Sequence, residues 1–437
     1  MFLNDIKHNW IGKVPNHWDV KRIKHLFHIK KEISEIPENE EVLSLTFGGI
    51  IKRDITTNEG QLPETYKGYT KIYPDDIVMN PMDLRSGWVD RSKYEGIISP
   101  SYYVLNKNTE STDIGYFNYQ FQRHYKERIF FPFGQGVSYD YRWGLGKETL
   151  LNFPIIVPPP SEQKQIVSFL DHKTLKIEEL IEKTEQKVEL LKEKRISLIN
   201  HCVTKGLNPN VEMKDSGVEW IGEIPVGWDT KKLKYVLKKK PDNGIFKKKD
   251  EFGDGVRLIN VGDLYDENNF ISQETLDRVL VNESELEKYK AQNNNLFFVR
   301  SSLKLEGIGV SSIIDNLEEP TVFECHIIRI IPNQSTINPY YLKLYLNSNL
   351  TRNRFISISQ TVTMTTISQD HITSLEIVYP PIIEQRQIVE YLDEQTQKID
   401  TTIEKEIQRI ELLKEYRQSL ISEVVTGKID VRDEVAV

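Results

Sequence analysis

A long stretch of sequence occurs twice in this chain, and it limits the available folds more than any other feature. Residues 162–203 (EQKQIVSFLDHKTLKIEELIEKTEQKVELLKEKRISLINHCV) return as residues 384–425 without a gap, at an offset of 222. Neither copy contains Gly or Pro, and both are rich in Leu, Ile, Glu, Lys and Gln, so each copy predicts one long helix. At a rise of about 1.5 Å per residue, such a helix is about 60 Å long.

Both copies also carry an apolar 3,4 alternation, which is typical of helices that pack along one another. Polar residues recur at equivalent positions of this seam, Thr174 as Thr396 and Arg195 as Arg417. The simplest partner for each helix is the other copy, and the alternative is two unrelated surface helices. The predicted seam consists of Ile177, Ile181, Val188, Leu191, Leu198, Ile399, Ile403, Ile410, Leu413 and Leu420.

A second repeat opens each half of the chain. The segment WIGKVPNHWDVKRIKHL, residues 10–26, returns as WIGEIPVGWDTKKLKYV, residues 220–236, at an offset of 210. Gly and Pro within a frame of two Trp residues predict a fixed turn that seats the aromatic rings against a core. We therefore expect a structural role for this segment.

The regions between the repeats have diverged, and the second is longer by 12 residues. Short alternating apolar segments predict strands at 42–47, 76–80, 87–92, 97–105 and 153–157, and again at 256–261, 295–302, 307–315, 323–331 and 375–380. Helices are predicted at 114–125 and 338–349. Each half is therefore predicted to be a mixed α+β domain with mainly antiparallel strands. Conserved ends around a diverged middle fit two modules that do one kind of job on two targets.

Length and composition exclude several classes of protein. A chain of 437 residues suggests two to four domains, and its 38% hydrophobic content is that of a soluble protein. The sequence has no apolar run long enough to span a membrane and no signal-peptide pattern at its start, so we expect a cytoplasmic protein. The two cysteines, Cys202 and Cys325, lie far apart without CxxC spacing, which predicts neither a disulfide nor a thiolate metal site.

The distribution of charge matters more than its total. A net charge of −8 argues weakly against binding to nucleic acid, but lysines are dense between residues 231 and 249, and Lys, Arg and His between 7 and 31. A negative total can hide such locally positive surfaces. The alternative for a lysine run is a solvated face or a flexible loop.

Catalytic motifs are incomplete wherever they begin. Residues 80–83 (NPMD) start like the tetrad with which amino-group methyltransferases hold a flipped base, but lack its second Pro and its aromatic residue. Residues 144–149 (GLGKET) fail as a phosphate-binding loop, and no HExxH motif is present. The sequence therefore predicts no catalytic centre and no metal site.

The two long helices, each preceded by Pro-Pro-x-x-Glu-Gln, and the repeated Trp-Ile-Gly-x-x-Pro-x-x-Trp segment together resemble the specificity subunit of type I restriction-modification systems. The resemblance covers essentially the whole chain. Residues 73–89, 97–105 and 133–144 look like recognition-domain motifs, as do 295–314 and 356–368 in the second half. Asn295-Leu296 departs from the family's usual Gly-Asp at that place.

The resemblance implies two α+β target-recognition domains of mainly antiparallel β structure with helices, separated by two long helices that pack as an antiparallel coiled coil in a pseudo-twofold internal repeat. The implied segments are a first target-recognition domain, a first spacer helix, a linker, a second target-recognition domain, a second spacer helix and an acidic tail, at residues 1–160, 161–204, 205–219, 220–382, 383–427 and 428–437.

It also implies the function. Each domain would bind one half of a bipartite site in double-stranded DNA, and the long helices would set the distance between the halves. Two modification subunits, which bind S-adenosylmethionine and methylate adenine, would dock on this chain, with the outer helix face around Leu190 and Ile199 as a candidate surface. Restriction subunits that use ATP and Mg would join them. This chain would select the site without a cofactor of its own and without making a bond.

Sequence-specific recognition needs readers of base edges, backed by cations that contact phosphates. Arg85 is the main candidate reader in the first domain, together with Asn80, Ser86, Tyr102, Gln135, Ser138, Tyr139 and Arg142. The counterparts in the second domain are Arg300, Ser302, Lys304, Gln360, Thr361 and Thr363. The candidate phosphate contacts are Lys231, Lys232, Lys234, Lys247 and Lys248.

Two other functions compete with this one. A coiled-coil adaptor whose domains bind proteins would explain the long helices and the acidic balance, but not the paired diverged regions with basic flanks. A single-chain restriction enzyme is disfavoured by the missing motifs.

Overall fold

A computed structural model describes residues 11–55, 63, 65–136, 143–361 and 365–434 of the chain. It divides into two compact units. Unit 1 comprises Met1–Glu185 with Gln408–Val437, and unit 2 comprises Gln186–Ile407. Each unit therefore combines one domain with the first part of one long helix and the last part of the other. The described residues contain no helix that is long and apolar enough to span a membrane.

Unit 1 is built from short, mainly antiparallel strands around one helix. The largest sheet has the order β2-β9-β6-β7, with every neighbouring pair antiparallel. The strands are β1 (Asp19–Arg22), β2 (Phe27–Ile29), β3 (Leu43–Thr46), β4 (Gly49–Lys52), β5 (Thr70–Ile72), β6 (Ile77–Met79), β7 (Val89–Arg91), β8 (Gly96–Ile98), β9 (Tyr103–Lys107), β10 (Gln135–Gly136), β11 (Trp143–Gly144) and β12 (Pro154–Val157). The 3-10 turns are Ile23–His25, Pro37–Asn39 and Phe131–Phe133.

Three helices belong to or begin in unit 1: α1 (Ile114–Lys126), α2 (Lys147–Asn152) and the long α3 (Pro160–Lys205). Asp113 caps α1, because its carboxylate accepts a hydrogen bond from the Tyr116 amide at 3.1 Å. The buried face of α1 packs Phe117 and Phe121 against Phe27 of β2, with T-shaped ring contacts. This cluster forms the core of the unit.

Unit 2 repeats the plan with more strands. Its two main sheets have the orders β16-β23-β19-β21 and β18-β17-β22, and β17 with β22 is the parallel pair among them. The strands are β13 (Met213–Asp215), β14 (Glu223–Pro225), β15 (Asp229–Lys232), β16 (Asp242–Asn243), β17 (Phe252–Ile259), β18 (Asp277–Val279), β19 (Leu296–Val299), β20 (Ser301–Ser302), β21 (Ser311–Ile313), β22 (Thr321–Phe323), β23 (Ile327–Ile330), β24 (Gln360–Thr361), β25 (Thr365–Thr366) and β26 (Glu376–Tyr379).

The helices of unit 2 are α4 (Glu283–Tyr289), α5 (Pro339–Leu346), α6 (Asn349–Ile358), α7 (Gln369–Ser374) and the long α8 (Ile382–Val425), which ends in unit 1. Its 3-10 turns are Leu233–Val236, Lys249–Glu251, Val261–Leu264 and Leu305–Gly307.

Strand β13 lies inside the segment predicted as a linker and pairs with β14. The predicted α+β class, with mainly antiparallel strands and two long helices, is confirmed.

Each long helix is fastened to its domain by the same three contacts. In unit 1 the Trp18 indole donates to Glu162 at 2.9 Å, and the Gln163 amide donates to the Pro158 carbonyl and accepts from the Asp113 amide, both at 2.8 Å. Unit 2 has the same three contacts. The Trp228 indole donates to Glu384 at 2.8 Å, and the Gln385 side chain donates to the Pro380 carbonyl at 2.8 Å and accepts from the Asn338 amide at 2.7 Å. The repeated Trp segment therefore fixes the direction in which each long helix leaves its domain.

The long helices run antiparallel within each unit. In unit 2, Lys187 of α3 pairs with Glu406 of α8 at 2.6 Å, and Arg195, further along α3, pairs with Asp400, which is earlier in α8, at 2.9 Å. In unit 1, Arg417 pairs with Glu178 at 2.9 Å. Among the predicted seam residues, Ile177, Val188, Ile399, Ile410 and Leu420 are buried, and Ile181, Leu191, Leu198, Ile403 and Leu413 are half-buried.

Candidate nucleic-acid interface

A tight loop follows β6 in unit 1, and we call residues 80–87 the first reader loop. Asp83 organises it, because its carboxylate accepts from the backbone amides of Arg85 at 2.8 Å and Ser86 at 3.2 Å and from the Ser86 hydroxyl. The Asn80 side chain accepts from the Met82 amide at 3.0 Å. Asn80, Asp83 and Ser86 are therefore occupied in shaping the turn, and this arrangement projects Arg85 into solvent.

The next hairpin supports the same loop. Strands β10 and β11 pair Gln135 with Gly144 and Gly136 with Trp143. The Trp143 ring stacks on Phe131 with centroids 5.6 Å apart, and the Arg85 guanidinium lies 5.9 Å from the centre of that Phe131 ring. A cation–π contact of this kind holds a guanidinium in place without neutralising its charge.

The other predicted readers of unit 1 lie in three different situations. Gln135 is exposed at the base of the hairpin. Tyr102 is half-buried and packs against the small apolar cluster that contains Val78 and Val104, so it serves the fold. Ser138, Tyr139 and Arg142 lie outside the described residues.

The corresponding loop in unit 2 follows β19, and we call residues 300–307 the second reader loop. The Ser302 hydroxyl donates to the Lys304 carbonyl at 2.7 Å and accepts from the Lys304 amide at 3.2 Å. Lys304 is exposed, whereas Ser302 is buried in the turn. Arg300 is half-buried and bound to the turn after β22. Its guanidinium donates to the Cys325 carbonyl at 3.3 Å, and its backbone amide donates to the His326 carbonyl at 2.9 Å.

Backbone hydrogen bonds show which positions of the two loops correspond. The Leu145 amide donates to the Pro81 carbonyl at 2.7 Å, and its repeat equivalent, the Ile367 amide, donates to the Arg300 carbonyl at 3.0 Å. Arg300 therefore corresponds to Pro81, and four residues further along each loop Lys304 corresponds to Arg85. The cation equivalent to Arg85 is Lys304, while Arg300 stabilises the loop.

A second arginine, which sequence reasoning missed, supports the second reader loop from behind. Arg352 of α6 donates to the carbonyls of Ile308 and Glu306, the latter at 2.6 Å. Burial lowers the pKa of Arg352 to about 10. Nothing in the local sequence distinguishes this residue from a surface arginine.

Hairpin β24–β25 lies beside this loop, since β25 also pairs with β20. Gln360 is exposed on β24, Thr361 is its neighbour in the same strand, and Thr363 lies outside the described residues. Both units thus place a loop with an exposed cation next to a two-stranded hairpin.

The predicted phosphate contacts divide into two groups. Lys231, Lys232, Lys234 and Lys248 are exposed. The ammonium of Lys231 lies 3.9 Å from the centre of the Tyr379 ring, and that of Lys234 lies 4.9 Å from the Tyr235 ring. These four side chains remain available to an anion.

Lys247 is different, because its side chain is only 7% exposed and lies 2.9 Å from both Glu251 and Glu285. Burial lowers the pKa of Lys247, but the hydrogen bonds to the two carboxylates outweigh this and raise it. The ammonium is charged and fully paired, so we leave Lys247 out of the contact set.

A cleft of about 660 Å³ opens beside the second reader loop. Its walls include Tyr265, Ser301, Leu303, Lys304 and His326. Glu324, Cys325 and His326 at its edge have ligand atoms within 4.8 Å of one another, although the spacing of the cysteines predicts no thiolate metal site. All three come from one turn, and no facing element adds a ligand among the described residues, so we assign no metal here.

The profile of the family described as "Type I restriction modification DNA specificity domain" matches residues 15–190 and 225–412. The chain is similar to the type I restriction enzyme EcoKI specificity subunit of Escherichia coli K12, with 25% identity over 284 residues that cover 64% of this chain. That alignment spans only 58% of the relative's length.

A second relative aligns over almost its whole length. It is the putative type I restriction enzyme MjaX specificity subunit of Methanocaldococcus jannaschii, which is 21% identical over 98% of this chain and 97% of that protein.

Two solved structures share the fold. One, described as the structural basis of complex assembly and conformational transition of the type I R-M system, has a TM-score of 0.72 at 13% identity and covers 95% of this chain and 100% of that chain. The other, the HsdS subunit from Thermoanaerobacter tengcongensis, has a TM-score of 0.54 at 15% identity and covers 95% and 98%.

Proposed function

Because this chain belongs to the type I restriction modification DNA specificity family, we propose that it is a non-catalytic reader of a bipartite DNA site, with one half-site for each unit. One observation carries the proposal. The two units present an exposed cation, Arg85 or Lys304, at equivalent positions of equivalent loops, each beside a β-hairpin. A loop of this kind is suited to reach base edges in the major groove.

The differences between the units support two different half-sites. Arg85 offers a planar fork of donors that matches the O6 and N7 acceptors of guanine, whereas Lys304 offers a point charge on a flexible stem. Phe131 lies under Arg85, while the second loop carries an exposed leucine, Leu303, instead. Two domains of the same fold whose reader loops carry different side chains fit two DNA half-sites of different sequence.

Phosphate contacts complete the interface. Exposed Lys231, Lys232, Lys234 and Lys248 of unit 2 would hold the register of the duplex without reading its sequence. Each contact of this kind adds to the salt dependence of binding.

The long helices would set the spacer between the half-sites. Each one starts in one unit and ends in the other without a break, over 46 residues in α3 and 44 in α8. A continuous helix transmits a change of length directly, since each residue adds about 1.5 Å.

The same helices would dock the modification subunits. Leu190 of α3 and Leu412 of α8 occupy equivalent positions of the repeat, and their side chains are 65% and 63% exposed. Ile199, the other residue predicted for this surface, packs instead against the core of unit 2. An apolar side chain that is exposed twice at one repeat position fits two copies of one partner.

Those partners would carry the chemistry. The modification subunits would bind S-adenosylmethionine, and the restriction subunits ATP and Mg. In this chain the incomplete motif at residues 80–83 lies in the first reader loop, and the one at residues 144–149 runs into the start of α2.

Selection of duplexes from a random pool by the purified complex of this chain with its modification subunit tests the proposal. We expect enrichment of two short motifs separated by a fixed number of unspecified base pairs. A coiled-coil adaptor that binds proteins would enrich no sequence, and that result would refute the proposal.

A further inference from the structure

Leu303 is the most exposed large hydrophobic side chain among the residues that the structure describes, at 84% of its surface. It lies in the second reader loop between Ser302, which is buried in the turn, and Lys304, which is exposed. A leucine in this setting has no packing role in the isolated chain. Its exposure costs free energy unless a partner covers it.

The loop that carries Leu303 is held rigidly. The Ser302 hydroxyl bridges the amide and carbonyl of Lys304, and the Gly307 amide donates to the Lys304 carbonyl at 3.1 Å. Arg352 fixes the carbonyl of Glu306 at 2.6 Å from the opposite side. A side chain on a preorganised loop loses little entropy when it meets its target, so its position is suited to recognition.

The equivalent residue in unit 1 behaves in the opposite way. Leu84 occupies the same position in the first reader loop, next to Arg85, and is only 3% exposed because it packs into the core of that unit. The exposed leucine is therefore a property of the second loop alone, and the requirements of the shared fold do not explain it.

We infer that Leu303 reads the 5-methyl group of a thymine in the half-site of unit 2. This inference rests on the proposed function, since it assumes that the second reader loop enters the major groove. The thymine methyl is the one apolar group that a base pair presents there, and an aliphatic side chain recognises it by excluding water from both surfaces. Lys304, the next residue, would contact a neighbouring base or phosphate.

The test compares thymine with uracil, which lacks only the methyl group. The complex of the full-length chain with its modification subunit is titrated with duplexes of the selected site in which each thymine of one half-site is replaced singly by uracil. One replacement in the half-site of unit 2 is expected to weaken binding about fourfold, the factor that corresponds to about 0.8 kcal/mol for one buried methyl group. The Leu303→Ala complex is expected to bind the thymine and uracil duplexes equally.

Leu280→Ala serves as the matched control, because Leu280 is an exposed leucine of the same unit outside the reader loop, at 53%. This variant should keep the fourfold ratio. A wild-type complex that tolerates uracil at every position, or a Leu303→Ala complex that still discriminates, would overturn the inference. Equal weakening of thymine and uracil duplexes by Leu303→Ala, as expected of a wedge between base steps, would also overturn it. Loss of all sequence selectivity in the wild type would refute the proposed function itself.

Discussion

Arg85 and Lys304 occupy the same place in two versions of one loop, and their surroundings differ. The guanidinium of Arg85 is 5.9 Å from the centre of the Phe131 ring, which restricts its orientation without pairing its charge. Lys304 is held through its backbone, by the Ser302 hydroxyl and by the Gly307 amide, which donates to its carbonyl at 3.1 Å. We therefore expect stricter base discrimination at the position read by Arg85 than at the one read by Lys304.

Replacing Arg85 tests that expectation. Arg85→Ala should reduce the discrimination of the complex against a wrong base at one position by about 1 to 3 kcal/mol, and only in the half-site of unit 1. Arg85→Lys keeps the positive charge but lacks the planar pair of donors of a guanidinium. Compared with Arg85→Ala, it should therefore recover more of the overall affinity than of the discrimination between bases. Titrations with duplexes mutated in one half-site measure both quantities. Equal losses at both half-sites would indicate general phosphate binding instead.

His124 provides a test of the core of unit 1. It is fully buried between Phe130 and Phe153, with centroid distances of 4.9 and 5.6 Å. Burial, together with the neighbouring Arg123 charge, holds the pKa of His124 well below its ordinary value of 6.5. The unfolded chain therefore takes up a proton as the pH falls below about 6.5, while the folded unit does not.

The stability of unit 1 should consequently be constant above about pH 7 and fall as the pH drops below 6.5, by up to about 1.4 kcal/mol per pH unit from this residue. Thermal unfolding at pH 7.5 and 5.5 measures the effect. His124→Gln removes the titrating group, so the difference between the two pH values should shrink. An unchanged difference would assign the acid sensitivity to other groups.

At the scale of elements, the long helices and the sites of many strands could be predicted because their signals are local. The predicted helix at 114–125 and the strand at 76–80 match α1 and β6 within one residue at each end. The predicted helix at 338–349 is divided into α5 and α6, because Ser348 is the N-cap of α6. The predicted strand at 97–105 is divided by a turn in which the Tyr102 amide donates to Ser99 at 3.1 Å.

Elements whose stability depends on distant partners were missing from the prediction. Strand β13 pairs with β14 inside the segment predicted as a linker, and β1 and β15 pair with β12 and β26, more than a hundred residues further along. Prediction of the candidate site from sequence is limited in the same way, because its residues also have partners that are distant in the chain. Lys247 looks free in the sequence, but one of its partners, Glu285, is 38 residues away.

The ends of the long helices depend on two glycines. Gly206 and Gly427 follow α3 and α8 with φ of +78° and +70°, a conformation that other residues adopt at a cost. A Cβ on Gly427 would lie 2.6 Å from Pro15, whereas one on Gly206 would lie 3.1 Å from Trp228. Gly427→Ala should therefore destabilise unit 1 by about 2 kcal/mol or more, and Gly206→Ala should destabilise unit 2 by about 1 kcal/mol. Denaturant titration compares the two variants, and equal effects would rule out the contact with Pro15 as the cause.

For the whole molecule, the repeat in the sequence and the units of the structure do not coincide. The sequence assigns each long helix to one module, but each unit contains parts of both helices. The contacts that fix this arrangement, such as the Tyr116 hydroxyl to the Val425 carbonyl at 3.0 Å and Tyr341 to Val203 at 3.1 Å, join residues far apart in the chain. A pattern with a period of a few residues carries no information about such contacts.

Lengthening the long helices tests their proposed role as a spacer. Insertion of four helix-forming residues at matched places in α3 and α8 adds about 6 Å and about one turn to each helix. We expect the spacer of the recognised site to change while both half-site sequences stay the same. Insertion into only one helix is the control, and it should impair the antiparallel pairing. Altered half-sites with an unchanged spacer would contradict the spacer role.

In the function proposed above, one chain reads two separate half-sites for a methyltransferase. The adenine methylome of cells that express this chain together with its modification partner tests it most directly. We predict methylation in a single two-part motif whose halves are separated by a gap of fixed length, and a motif that is relaxed only in the half read by unit 1 when Arg85 is replaced. Methylation at one continuous motif, or at adenines without a common sequence, would contradict the account.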